Sequence, residues 1–159
     1  EFIVNGHRGT RQILRTPIGS LTDERLNAAI ASASSKHFIT EPEDYKILLY
    51  YLRDITVHKD TKQWIDVYNW LGDNGLPHTS LGRTPYQQLW IQWVSIQDLA
   101  LHIVDYPQLM EEVFEALFDV QRKIFHVACE VVEELPIPYL TFGDNITAPI
   151  IGEANFRKY

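Results

Sequence analysis

Residues 107–135 read PQLMEEVFEALFDVQRKIFHVACEVVEEL, and Pro136-Ile137-Pro138-Tyr139-Leu140-Thr141-Phe142-Gly143-Asp144-Asn145 follow at once. Leu109, Met110, Val113, Leu117, Val120, Ile124, Val127, Val131 and Leu135 recur every three or four positions. That is the period of one helix face. Glu111, Glu112, Glu115, Asp119, Arg122, Lys123, Glu130, Glu133 and Glu134 stand mostly on the other side. The spacing predicts one long amphipathic helix, stopped by Pro136 and Pro138. Tyr139–Phe142 then reads as a strand, and Gly143-Asp144-Asn145 as the turn after it. A second turn follows at Gly152.

Upstream, Leu76-Pro77-His78-Thr79-Ser80-Leu81 is a second short strand between turn signals. Gly82-Arg83 is its loop. Thr84-Pro85-Tyr86-Gln87 reads as a capping box opening a helix through Trp93, and Ser95-Ile96-Gln97-Asp98 caps another that ends before Pro107. Two strands separated by this much helix are expected to pair in parallel, with the helices as crossovers. The fold class is therefore α/β and helix-rich.

Further toward the N-terminus, Thr40-Glu41-Pro42-Glu43 is another capping box with proline in the first turn. Its helix should run to about Asp54 with Ile47, Leu48, Tyr51 and Leu52 inward. A helix from about Asp60 to Asp73 should bury Trp64, Ile65, Val67, Tyr68 and Leu71, with Gly75 past its end. Asn5-Gly6 is a two-residue hairpin signal. Arg11–Leu21 reads as an extended strand or hairpin arm, with Pro17 making it an edge. Residues 22–39 stay open: Ala28–Ala33 favours helix, whereas Ser32, Ser34 and Ser35 favour loop. The strand-like start at Glu1 and the helical turn at Asn155–Tyr159 lead us to expect an internal piece of a longer protein. Residues 1–159 would then be a single, partial domain.

At 159 residues the chain has room for about one domain, and 45% hydrophobic with 22% charged residues can build a core. No apolar run approaches the ~18 residues of a membrane span, and no signal-peptide pattern opens the chain. The expectation is a chain with no membrane partner. The net charge of −7 argues against nonspecific nucleic-acid binding, though it does not exclude a local basic pocket. Cys129 is the only cysteine, so no internal disulfide can form and a reducing cytoplasm fits. The Asn145-Ile146-Thr147 sequon reads as chance without a secretory signal.

In α/β folds the loops after the carboxyl ends of parallel strands carry the site. Arg83 sits in the first such loop, a fixed cation beside a helix N-terminus, where an anion is favoured twice over. A surface arginine beside a simple cap is the other reading. Asp144 and Asn145 occupy the second loop, either lining a cleft or closing an Asx-type turn. His78 alternates along its strand and suits proton transfer, or is a hydrogen-bonded core histidine. His126 and Cys129 lie three apart on the long helix without an obvious third ligand, which reads as a solvated histidine and a buried thiol rather than a metal site. Trp64, Trp70, Trp90 and Trp93 read as packing residues.

Thr16-Pro17-Ile18-Gly19-Ser20-Leu21, Thr40-Glu41-Pro42-Glu43-Asp44-Tyr45-Lys46, Gly82-Arg83-Thr84-Pro85 and Phe142-Gly143-Asp144-Asn145-Ile146-Thr147 occur in this order. Together they resemble the uroporphyrinogen decarboxylase-like superfamily through nearly the whole chain. The resemblance implies a section of a (β/α)8 TIM barrel. It implies cofactor-free decarboxylation of tetrapyrrole acetate groups in porphyrin biosynthesis, with Arg83, Asp144, Asn145 and His78 as substrate-binding residues. The family's catalytic aspartate would precede Glu1. Trp90 and Ile91 stand near a pocket tyrosine of the decarboxylases, and Asp144 near a pocket serine; both are departures. The superfamily's other chemistry is corrinoid-dependent methyl transfer using zinc and a corrinoid protein. Its His-x-Cys and later Cys ligands would follow Tyr159, and His126 with Cys129 does not match their spacing. A non-catalytic structural or binding segment, prone to self-association, is the third expectation.

Overall fold

The computed structural model describes residues 2–4, 7–27 and 32–159. Strands β1 (Phe2–Val4), β2 (His7–Thr16), β3 (Gly19–Asn27) and β4 (Ser32–Lys36) form an antiparallel sheet in chain order. The expected Asn5-Gly6 turn lies outside the described residues, as do residues 28–31 of the alternative helix. Ser32–Lys36 is strand, neither helix nor loop.

Pro17 does not sit on an edge strand. Pro17 and Ile18 are the two-residue turn joining β2 to β3, with Thr16 paired to Gly19. A turn position wastes no ladder bond on a residue that has no N–H to give. Thr16 Oγ1 donates to the Gly19 carbonyl at 2.9 Å. Gly19 has φ +153°, and a Cβ there would stand 2.7 Å from Ile47 Cδ1. The positive φ is what favours glycine at this hairpin tip, since the Ile47 methyl could shift aside.

That element is helix α1 (Tyr45–Asp54), entered through a 3₁₀ turn at Pro42–Asp44. The Asp44 carboxylate accepts the Thr40 N–H at 2.9 Å and the Glu41 N–H at 3.1 Å. Asp44, not Glu43, is therefore the reciprocal acceptor, because the tighter turn moves the cap along by one residue. Leu48, Leu49 and Leu52 bury the inner face of α1.

Helix α2 (Lys62–Leu71) corrects the sequence reading. None of its residues is fully buried: Ile65, Val67 and Tyr68 are exposed, and Trp70 is 79% exposed. Trp64 and Tyr68 stack on each other at 5.0 Å, so part of the apolar face is covered by its own neighbours. The α-helix gives way at Gly72, whose φ is +50°, to a 3₁₀ turn over Gly72–Asn74, and Gly75 follows its end as expected.

Strand β5 (Thr79–Ser80) comes next, then α3 (Pro85–Gln88), which widens into a π-helical turn at Leu89–Trp93. The Val94 N–H donates back five residues to the Leu89 carbonyl. Helix α4 (Ile96–Asp105) is capped as its sequence predicts: the Ser95 hydroxyl accepts the Asp98 N–H at 3.0 Å and donates to the Asp98 carboxylate at 2.7 Å. Helix α5 (Pro107–Glu134) is the long helix, and strand β6 (Leu140–Thr141) follows. Short helices α6 (Ala148–Ile151) and α7 (Glu153–Lys158) close the chain.

β5 and β6 pair in parallel, Thr79 with Leu140 and Ser80 with Thr141. The crossover between them holds α3, α4 and α5. A second parallel contact is the bridge of Ile39 with Val94, where the Ile39 N–H donates to the Trp93 carbonyl at 2.8 Å. The described residues thus make a mixed α/β fold with a small antiparallel sheet. The core joins Leu21 of the sheet to Leu48 and Leu52 of α1, Leu89 and Trp93 of the π turn, and Leu99 of α4. On α5, Met110, Val113, Phe114, Leu117 and Val120 complete it. Each such side chain contributes roughly 1.5–3 kcal/mol by leaving water. Among the described residues no helix is long and apolar enough to cross a membrane.

Candidate functional site

The carboxyl ends of β5 and β6 are joined past the strands themselves. The Leu81 N–H donates to the Thr141 carbonyl at 2.9 Å, and the Gly143 N–H to the Gly82 carbonyl at 2.8 Å. The two loops carrying Arg83 and Asp144 therefore lie side by side. Both Asp144 oxygens receive the Thr84 N–H, at 3.0 and 3.2 Å. Thr84 is the N-cap of α3, so an acid 60 residues downstream satisfies its backbone donor.

The capping box read at Thr84-Pro85-Tyr86-Gln87 is not closed. Gln87 turns inward instead, is 2% exposed, and accepts the Asn145 N–H through Oε1 at 2.5 Å. Its Nε2 donates to the Gly143 carbonyl at the long limit of 3.5 Å. Gln121 of α5 reaches the Arg83 carbonyl in the same way. Gln87 and Gln121 thus hold both loops, and sequence reasoning missed both. A local cap motif gave Gln87 a partner within its own helix, and nothing local signals a bond to residue 145.

Arg83, Asp144 and Asn145 come together at this end. Asn145 contributes its backbone N–H and keeps its side chain exposed. His78 does not join them. It precedes β5 at the opposite, amino end of the parallel pair, is exposed, and stacks on Tyr139 at 5.9 Å.

Arg83 is not paired with Asp144: its side chain makes no hydrogen bond or ion pair among the described residues. Its Nε is sealed from solvent without a partner. The side chain lines a cleft of about 520 Å³ between the antiparallel sheet and the helical body. Gln12 and Arg25 come from the sheet; Tyr51, Gln92 and Trp93 come from the body. The sealed Nε is out of a ligand's reach, but the terminal nitrogens are not sealed and hold no partner among the described residues, so an acceptor in the cleft would meet those.

Elsewhere, His126 lies 3.5 Å from Glu130 on the exposed face of α5. Cys129 is exposed, not buried as its place beside the apolar stripe implied, because the second half of α5 is only partly covered. Among the described residues no group of three or more His, Cys, Asp or Glu could hold a metal ion. Of the tryptophans, Trp93 is in the core as expected, whereas Trp70 is a surface residue.

No family model, curated protein or solved structure matches the chain. Its class is defined by its own geometry, a mixed α/β fold with paired loops at the carboxyl end of a parallel strand pair and an arginine-bearing cleft beside them.

Proposed function

We propose that the chain is a section of a (β/α) barrel-type protein of the uroporphyrinogen decarboxylase-like kind, and that Arg83 anchors a carboxylate of a tetrapyrrole or related anionic substrate. The observation that carries this reading is an Arg83 guanidinium with no hydrogen-bond or ion-pair partner among the described residues, in a cleft beside the β5 and β6 loops. Parallel β5–β6 pairing across a helical crossover supports the barrel part. Loops at the carboxyl ends of such strands are where α/β proteins bind ligands.

The chemistry constrains what Arg83 does. In a decarboxylation the departing carboxylate becomes neutral CO₂. A cation on that group would hold the ground state more tightly than the transition state and slow the step. Arg83 therefore binds a carboxylate that stays, and orients the ring bearing the one that leaves. Asp144 and Gln87 act behind it by fixing the two loops.

Uroporphyrin, which is fluorescent and carries eight carboxylates, tests this in titrations. Arg83→Ala is expected to weaken binding at least about tenfold, or ~1.4 kcal/mol. Arg53→Ala is the control, because Arg53 lies on the surface paired with Glu112 at 2.5 Å. Equal effects of the two substitutions would remove Arg83 from the site. Release of CO₂ from uroporphyrinogen then separates a decarboxylase from a protein that only binds.

A further inference from the structure

The cleft beside Arg83 has a second cation, and it comes from the antiparallel sheet. Gln12 pairs with Asp23 across β2 and β3, Leu14 with Leu21, and Thr10 with Arg25. By strand alternation these six residues share one face. That face turns toward the helical body: Leu21 is in the core and Asp23 is fully buried. Arg25 donates its Nε to Asp23 Oδ2 at 3.0 Å. Among the described residues this is the only hydrogen bond of its guanidinium, so Asp23 fixes the group and leaves both terminal nitrogens uncommitted.

Three features describe what would fill the cleft. Its charged lining residues are Arg25 and Arg83, and no carboxylate lines it, in a chain with 21 acids and 14 bases. Gln12 and Gln92 add amide donors. One wall is aromatic, with Trp93 at 5.3 Å from Phe38 and 5.7 Å from Tyr51 between ring centroids. Two cations from opposite walls bind two anionic groups better than one, and the aromatic wall favours a flat ring between them.

We propose that Arg25 and Arg83 together bind an aromatic or heteroaromatic ring carrying two carboxylates, so that the β2–β3 hairpin is a specificity element and not only a cover. The inference rests on the reading of Arg83 as a carboxylate anchor. It adds that Arg25 takes the second carboxylate.

Calorimetric titration with benzoate and with the three benzenedicarboxylates tests it on the intact chain. The wild type should bind at least one diacid about tenfold or more tighter than benzoate. Removing Arg25 alone would strand the buried Asp23 carboxylate, so the informative variant is Asp23→Asn with Arg25→Gln, which keeps an amide pair in place. It should bring the diacid down to about benzoate affinity. Arg25→Lys, which keeps a charge, should retain part of the preference. Arg83→Ala should weaken benzoate and diacid alike. If Arg83→Ala weakens both while the Arg25 variants keep the full diacid preference, Arg25 is no anchor and only this inference falls. If Arg83→Ala changes neither, the anchor reading falls with it. A wild type that binds no diacid at millimolar concentration also overturns the proposal.

Discussion

The two halves of α5 carry the same apolar period and meet different fates. Met110, Val113, Phe114, Leu117 and Val120 of the first half are buried against α1, α3 and α4. Ile124, Val127 and Val131 of the second half are only half-buried, and Phe125 and Val132 are exposed. Ile124, Val127 and Val131 face β5, β6 and the segment before α2 across a gap of about 180 Å³. An amphipathic stripe states that a face can be buried. Whether it is buried depends on how much surface the rest of the chain brings to it.

The largest expected difference tests that contrast directly. Leu117→Ala should cost about 2–5 kcal/mol in urea unfolding, because the site is closed on all sides. Val127→Ala, beside the existing gap, should cost about 1 kcal/mol or less. Equal losses would mean the second half is packed as firmly as the first.

Gln87→Leu comes next. It leaves the Asn145 N–H without its acceptor at the joint of the two loops, with an expected cost of about 1–3 kcal/mol. Amide exchange at Asn145 and Gly143 should quicken more than elsewhere in the chain. Unchanged protection there would show that the loops hold together without Gln87.

A third test uses pH. In the firmly packed half, the Tyr45 hydroxyl lies 3.1 Å from His102 Nδ1, with both residues buried. Burial raises the Tyr45 pKa above its ordinary value, and Asp98 and Asp44 raise it further. The unfolded chain ionises this tyrosine near pH 10, while the folded chain keeps the proton. Its contribution is therefore fully present below about pH 10. Above that the unfolded state binds fewer protons, and stability falls by up to ~1.4 kcal/mol per pH unit. Tyr45→Phe should be less stable near neutrality yet show a shallower alkaline decline in Tm. Parallel declines would exclude Tyr45 as a source of the slope.

The smallest effect is expected at the exposed end. Val132→Ser should change stability by less than about 0.5 kcal/mol, as surface positions do. A loss above about 1.5 kcal/mol would show that a partner, such as a second copy of the chain, covers this face. Sedimentation of the wild type over a range of concentrations would then identify it.

Much of the α/β body was legible locally. Ser95 and Asp98 closed their cap as written, Pro107 and Pro136 bound α5, and the parallel pairing of residues 79–80 with 140–141 followed from the helices between them. The sheet was less legible. Pro17 signals a turn or an edge equally well, and the positive φ of Gly19 follows from the hairpin's closure. At the candidate site, sequence picked out Arg83 and Asp144 by their place after strands. It could not pair Asp144 with Thr84, or set Gln87 against Asn145, because those bonds join residues about 60 positions apart. Arg25 carried no signal at all, since a charged residue on a hairpin reads as solvated.

By itself the sequence determined roughly where the main helices lie, which strands need a crossover, and which loops carry charge. Those choices depend on neighbours within a turn or two, through caps, proline and apolar period. Tertiary structure alone decided which apolar faces are covered, which polar side chains are held, and that Arg25 and Arg83 share one cleft. Those outcomes depend on surfaces contributed by distant segments, and no local pattern encodes which distant surface arrives.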